Sequence, residues 1–336
     1  MKTITMADVA QHANVSKSTV SQFVNGRYEY MGKQTRERIA SAIEELEYSP
    51  NIMARSLKQK SSTTIGVIVA NILHIFSTQV IRAIEDYCNE SDFHVIVCNA
   101  DDNPEKEKRY IEMLRAKQVD GIISFPTGAN NQLYQQLVEQ DYPIVLMDRI
   151  LPDTDININT VLLDNRKAAK LAVDEFVQKG YERIGMLTPP LDEHLTARNE
   201  RVHGFREALE DHGIVLESGY LVSTDLKEAQ AALNRMMSLK SPPEAILALN
   251  DRSLVEILNY IKKDQINIPD DLALIGIDDV TFASFYSPAL TTVAQPAYKM
   301  GEKAAELLLA KILIENSTSE EVVHRFEPEL MRRESS

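Results

Sequence analysis

Residues 3 to 25 carry two short helix signals with only a three- or four-residue turn between them, a pairing that leaves few folds open. Thr5 can cap the first helix, and Asp8 three residues on completes a capping-box pattern. Val9, Ala10 and Ala13 form its apolar stripe, and the small Ala10 lets a second helix cross closely. Asn14 falls in the turn, where positive φ is expected and Asn is the commonest non-glycine residue to tolerate it. Ser16 caps the second helix. Val15, Val20, Phe23 and Val24 face inward, so Lys17, Ser18, Ser21 and Gln22 stay outside, as side chains that read base edges and hold phosphates. The pattern fits a helix-turn-helix that enters DNA; an ordinary helical hairpin with a solvated face gives it too.

A third helix is predicted over about Gly32 to Glu47, with Ile39, Ala42, Ile43 and Leu46 closing a small core before Pro50. Asn51 to Lys58 is a short helix candidate capped by Asn51, and residues 59 to 63 form a polar linker. Eight residues cannot hold a helix alone in water, so this segment is expected to order only with DNA and a second copy of the chain. The expected domains are a head over 1–50, a hinge helix and linker over 51–63, and a body over 64–336.

Net charge of −14 argues against nucleic acid until it is divided along the chain. Residues 1 to 60 hold nine Lys/Arg against six Asp/Glu, leaving 27 against 44 for the rest. A cationic head on an acidic body keeps phosphate contact to the head, although clustering by chance remains open. Two cysteines, Cys88 and Cys98, indicate no disulfide framework or metal cluster and are expected reduced and buried. Polar and acidic residues near the N-terminus and the lack of an apolar run of about 18 residues argue against a signal peptide or a membrane span. A cytoplasmic protein is expected.

From Ile65 onward, apolar runs alternate with amphipathic helical stretches. The runs are Ile65 to Ala70, Val95 to Cys98, Gly121 to Phe125 and Ile144 to Met147, then, after an irregular stretch from Pro152 to Asn157, Arg183 to Leu187, Ala245 to Leu249 and Ala273 to Ile277. That alternation predicts parallel sheets in βαβ units. No internal repeat is evident. There is no nucleophile elbow, phosphate loop or metal-binding helix motif, and no cofactor is called for. Asp278-Asp279 follows a buried strand; adjacent residues point apart, so one carboxylate is expected to face a crevice and the other the structure. His74, His94, His194 and His203 lack metal-ligand spacing. Arg201 presents a planar fork suited to carboxylates or vicinal hydroxyls; pairing with Glu200 or Glu207 at the surface is the alternative. Asn250 follows a strand, and Phe76, Ser124, Asp148 and Arg149 are placed at other strand ends as weaker candidates.

Asp8-Val9-Ala10, Val15 through Ser21, Asn25, Tyr48-Ser49-Pro50-Asn51, Ala54-Arg55-Ser56-Leu57, Val119 through Ile123, Arg201 through Phe205 and Ile275 through Asp279 together resemble the lactose-repressor/galactose-repressor family of bacterial transcription regulators. The resemblance spans essentially the whole chain; Asn14 stands for the usual turn glycine and Gly32 for the usual serine cap. It implies a small all-α head joined to an α/β body of two doubly wound parallel-sheet subdomains, similar to periplasmic sugar-binding proteins, with an effector between them. DNA contacts are implied for Thr5, Ser16, Lys17, Ser18, Thr19, Ser21, Gln22, Asn25, Tyr48, Asn51, Ala54, Arg55, Leu57 and Lys58. Leu57, which on its own reads as a satellite core residue, would wedge the minor groove. Arg201 matches the family's effector-binding arginine, and Asn250 a crevice position.

The reading is a homodimeric regulator of palindromic operator DNA, not an enzyme, that represses carbohydrate-utilisation genes under a small sugar or sugar-acid effector. Lys17 to Thr19, Gln22 and Tyr28-Glu29-Tyr30-Met31 resemble regulators of pectin-derived acids such as 2-keto-3-deoxygluconate. Arg201 and Asp278 are expected to grip the effector from opposite subdomains. The rival is a carbohydrate-binding transport protein, which shares the body but has no use for the head.

Overall fold

The computed structural model describes residues 4–29, 31–48, 61–151, 156–192, 194–314 and 322–336, in two compact units, residues 1–62 and 63–336. Expectations for residues 49 to 60, among them Asn51, Ala54, Arg55, Leu57 and Lys58, lie outside the described residues.

In the first unit α1 (Met6–His12), α2 (Lys17–Val24) and α3 (Lys33–Glu45) enclose Val9, Val20 and Ile39, all fully buried. The capping box forms: the Thr5 N–H donates to Asp8, and the Asp8 N–H donates back to Thr5 Oγ1. Asn14 takes φ of 52°, and Ser16 Oγ accepts from the Thr19 N–H at 3.1 Å. The third helix starts after Gly32, whose extended backbone serves as N-cap without a side-chain bond. Arg36 on α3 braces the loop after α2, donating to the Tyr28 carbonyl at 2.9 Å and the Met31 carbonyl at 3.0 Å while its guanidinium lies 4.9 Å over the Tyr28 ring.

In the second unit β1 (Thr64–Val69), β2 (His94–Asn99), β3 (Gly121–Ser124), β4 (Ile144–Met147) and β5 (Thr160–Leu163) run with α4 (Ile75–Glu90), α5 (Pro104–Ala116) and α6 (Asn131–Glu139). A second set follows: α7 (Asn165–Gln178), β6 (Ile184–Thr188), α8 (Thr196–Asp211), β7 (Leu221–Ser223), α9 (Ala229–Met237), β8 (Ala245–Ala248), α10 (Asp251–Asp264), β9 (Ala273–Ile277) and β10 (Thr291–Ala294). The chain then returns, with α11 (Ala297–Leu313) against α4, β11 (Val323–Phe326) beside β5 and β12 (Glu329–Met331) beside β10.

The sheets are six-stranded, ordered β11-β5-β4-β3-β1-β2 and β12-β10-β9-β8-β6-β7. The pairs are parallel except β10 with β12. Both sheets wind alike, a structural repeat that the residue pattern does not announce. Helices on both faces bury strands on both sides: in β1, Ile65, Val67 and Val69 enter one core and Ile68 another, with the two-residue period of a strand. Cys88 and Cys98 are buried free thiols; burial pushes Cys88 up to about 12. β5 pairs with β4 and so belongs to the first sheet.

α7 and α8 cross where Gly204 stands. A Cβ there would meet the Arg166 carbonyl oxygen at 2.3 Å, so only glycine lets the backbones come this close. Around that crossing Phe176 and Phe205 are fully buried, each contributing about 1.5–3 kcal/mol.

Candidate functional site

On α2, Ser16, Lys17, Ser18, Gln22 and Asn25 are exposed, and Thr19 and Ser21 are half-buried. Several are partly committed to holding the helix. Ser16 Oγ lies 2.7 Å from the hydroxyls of Ser18 and Thr19, and Asn25 Nδ2 donates to the Ser21 carbonyl at 2.6 Å. The side chains of Lys17 and Gln22 have no hydrogen-bond or ion-pair partner among the described residues, which leaves an amine and an amide presented outward. Thr5 is exposed but occupied by its capping box. Tyr48 departs from expectation: its ring is 8 % exposed, packed in the core of the head rather than offered on its surface.

In the second unit the loops that leave the carboxyl ends of the strands converge on one crevice, with about 550 Å³ of atom-free space including the solvent at its mouth. In each sheet the winding reverses beside the first strand, between β1 and β3 and between β6 and β8. Such switch points open a crevice at the carboxyl ends of the strands. The first subdomain supplies Asn71 after β1, Phe76 and Ser77 in the first turn of α4, Phe125 after β3, and Asp148 and Arg149 after β4. The second supplies Arg198 and Arg201 from α8, Asn250 after β8 and Asp278 after β9; Gln295 lines the cavity on a segment that crosses from one sheet to the other.

Arg201 is 5 % exposed, and its alternative surface pairing does not occur: Glu200 pairs with Arg325 and Glu207 with Arg166. Arg201 Nε donates to Asn165 Oδ1 at 2.8 Å and Nη1 to the Leu249 carbonyl at 2.9 Å, while Nη2 carries no hydrogen bond among the described residues. Two arms of the fork are fixed by the scaffold and one is left for a ligand. Asn250 caps α10, its Oδ1 accepting from the Ser253 N–H at 2.9 Å, which leaves its amide NH₂ as a donor. Asp278 accepts from Gln295 Nε2 at 2.5 Å and from the Asp251 N–H at 3.2 Å. Burial pushes its carboxyl up, with the Arg201 charge pulling the other way. Asp279 turns outward to Arg333 at 2.8 Å, so the adjacent pair divides between cavity and structure as expected.

Two expectations are corrected. Arg201 and Asp278 belong to the same subdomain, since α8 packs on α7 behind the second sheet and Asp278 ends β9 of that sheet. Across the crevice, Arg201, Asn250 and Asp278 instead face Phe76, Asp148 and Arg149. Ser124 does not line the cavity: fully buried, its Oγ lies 2.7 Å from the Tyr134 hydroxyl, which itself donates to the buried Glu107. Its strand-end position was legible, but the side chain points to the opposite face of β3.

Spacing did not disclose three further lining residues. His74 caps the start of α4 and places Nδ1 2.5 Å from Asp251 Oδ1, joining the two subdomains. Burial alone would raise the Asp251 carboxyl, but His74 and the N–H groups of Ile75 and Arg252 bring it below its usual range. Gln295 keeps a buried Oε1 without a partner among the described residues, an acceptor open to a ligand hydroxyl. Arg198 sits three residues before Arg201, on the same face of α8. No cluster that could hold a metal ion is found among the described residues.

A cavity of charged forks, amides and an aromatic face, on a body joined to a helix-turn-helix, can be compared with known proteins. The chain matches the model of bacterial regulatory proteins of the lacI family over residues 5–51 and that of the periplasmic binding protein-like domain over residues 173–336. It is 46 % identical to the "Probable HTH-type transcriptional regulator EndR" of Paenibacillus polymyxa, covering 98 % of each chain. Among solved structures it is similar to the transcriptional regulator CelR in complex with cellobiose (26 % identity, TM-score 0.73, 99 % of this chain and 100 % of that one). It is also similar to the lac repressor dimer bound to operator and the anti-inducer ONPF (25 % identity, TM-score 0.84, 99 % of each). Likeness to regulators along the whole chain, head included, displaces the transport-protein reading: the chain belongs to the lacI family of bacterial regulatory proteins and is a DNA-binding transcriptional regulator.

Proposed function

We propose that the protein is a homodimeric repressor that reads a palindromic operator through α2 and is controlled by a small sugar or sugar acid held in the cavity between its two subdomains. The observation that carries the reading is the cavity lining: one arm of Arg201, the Asn250 amide, Asp278 and Gln295 Oε1 supply donors and acceptors for vicinal hydroxyls, against the apolar face of Phe76. The cellobiose held by CelR and the ONPF held by the lac repressor dimer support the ligand class. The DNA contacts comprise Lys17, Ser18 and Gln22 at base edges, with Ser16, Thr19, Ser21, Asn25 and Thr5 at phosphates. The family resemblance extends them to Asn51, Ala54, Arg55, Leu57 and Lys58, and gives residues 51 to 63 the part of a hinge. Phe76, Asp148 and Arg149 hold the effector from the first subdomain and Arg201, Asn250 and Asp278 from the second. The chain works by binding rather than by catalysis, in the cytoplasm where its operator lies.

The experiment is fluorescence anisotropy of a labelled palindromic duplex, titrated at physiological salt with and without a panel of sugars and sugar acids. Specific binding with an affinity of about 10⁻⁸ M or tighter, changed by one class of sugar, is the expected result. Binding that no sugar changes removes the effector reading and leaves the DNA reading standing.

A further inference from the structure

We propose that the cavity takes an anionic effector, a sugar carrying a carboxylate, and seats that carboxylate between Arg149 and Arg198, where Asp102 acts as a competitor tethered in the chain. The inference rests on the effector reading above and narrows it to a chemical class.

The two arginines come from opposite subdomains. Arg149 follows β4 and is 7 % exposed; Arg198 lies in the first turn of α8. Both line the cavity, and both turn to the same carboxylate: Arg149 Nη2 is 2.8 Å from Asp102 Oδ1 and Arg198 Nη2 is 3.7 Å from Asp102 Oδ2. Burial and the neighbouring Arg149 and Arg201 make the charge on Arg198 costly, and Asp102 and Asp148 work against that cost. With Nη1 of Arg149 held by the Pro126 carbonyl and Nη1 of Arg198 by the Pro190 carbonyl, the Nη2 arms of two guanidiniums from different elements meet at one point, which makes a carboxylate subsite.

Asp102 fits that subsite imperfectly. It reaches Arg149 closely and Arg198 only loosely, from a turn in which Asp101 and Asp102 both take left-handed backbone, φ 53° and 52°. Asp148 and Asp278, the other carboxylates facing the three lining arginines, have side chains pinned deeper, whereas the Asp102 side chain is 29 % exposed and can swing into water. Among the described residues, Asp102, Asp148 and Asp278 set their charges against those of the three arginines. A neutral sugar gains nothing by displacing Asp102. A sugar acid replaces its charge one for one and can pair with both forks, which also draws the subdomains together.

Calorimetry on the full-length chain tests this with matched pairs: D-galacturonate against D-galactose, D-gluconate against D-glucitol, and D-cellobionate against cellobiose. The acid of at least one pair is expected to bind at least tenfold tighter than its neutral partner. Asp102→Asn should tighten the acid about tenfold and leave the neutral sugar unchanged, while Arg198→Met weakens only the acid. Melting curves of both variants establish that they fold. Equal affinity within every pair that binds overturns the inference while leaving a sugar effector intact. Asp102→Asn weakening acid and neutral sugar alike makes Asp102 a structural bridge and also overturns it. Binding by no member of any pair removes the sugar reading itself, and this inference with it.

Discussion

Gln22 stands exposed on the outer face of α2, and an amide so placed can pair bidentately with adenine in a major groove. Gln22→Ala is expected to cost roughly 1–3 kcal/mol of operator affinity and to relax preference at particular base pairs. Anisotropy against single-base operator variants checks it; uniform weakening would make Gln22 a phosphate contact. Asp278 yields a pH prediction. Burial holds its carboxyl above the usual value, so the native state binds more protons than the unfolded chain between the two pKa values. Stability therefore falls as pH rises through that interval, and the cost is complete above it. Asp278→Asn should raise Tm at neutral pH, with the gain fading below about pH 4, the unfolded carboxyl range, while the effector response is lost. A Tm lowered equally at both pH values would make the hydrogen bonds to Gln295 and Asp251 the larger effect. Arg201 and Asn250 were legible as chemical types at strand and helix ends. Asp102 and Gln295 were not, because their meaning lies in contacts between separate strand-end loops, 47 and 17 positions apart, which no local spacing encodes.

At the scale of elements, the crossing of α7 and α8 sets the position of Arg201, three residues before the glycine that allows it. Gly204→Ala must push the helices apart, since the obstacle is the Arg166 backbone rather than a flexible side chain. A cost of about 1–3 kcal/mol in stability is expected. Effector affinity should fall as well, as Arg201 Nε draws away from Asn165 at 2.8 Å. Thermal melting and calorimetry on the same protein test both, and an unchanged Tm would mean that the crossing has slack. Caps and apolar periods made α1, α2 and the long buried strands readable. β7, β11 and β12, partly exposed at sheet edges, were missed because they hold no continuous apolar run, and β5 and β10 because threonines interrupt theirs. Only their pairing partners define them, and those stand far away in sequence. The crossing of the chain between sheets after β5 and β10 was missed for the same reason.

For the whole molecule, charge and cavity divide the work between two units. Residues 63–336 expressed alone are expected to bind effector and form a dimer without binding operator, whereas residues 1–62 alone should bind the duplex at least a hundredfold more weakly than the full chain. Sedimentation and anisotropy decide both, and a body that stays monomeric at micromolar concentration removes the symmetric dimer. The return of β11 to the first sheet and β12 to the second bears on how the protein is made. Neither sheet has its full set of strands until residues 322–331 have been synthesised, long after the three-helix head has everything it needs. A chain stopped just before residue 322 would thus lack a strand in both subdomains at once yet keep the head. Such shortened chains would keep the DNA-reading helices at the weak affinity expected of a lone head, beyond any control exerted through the cavity.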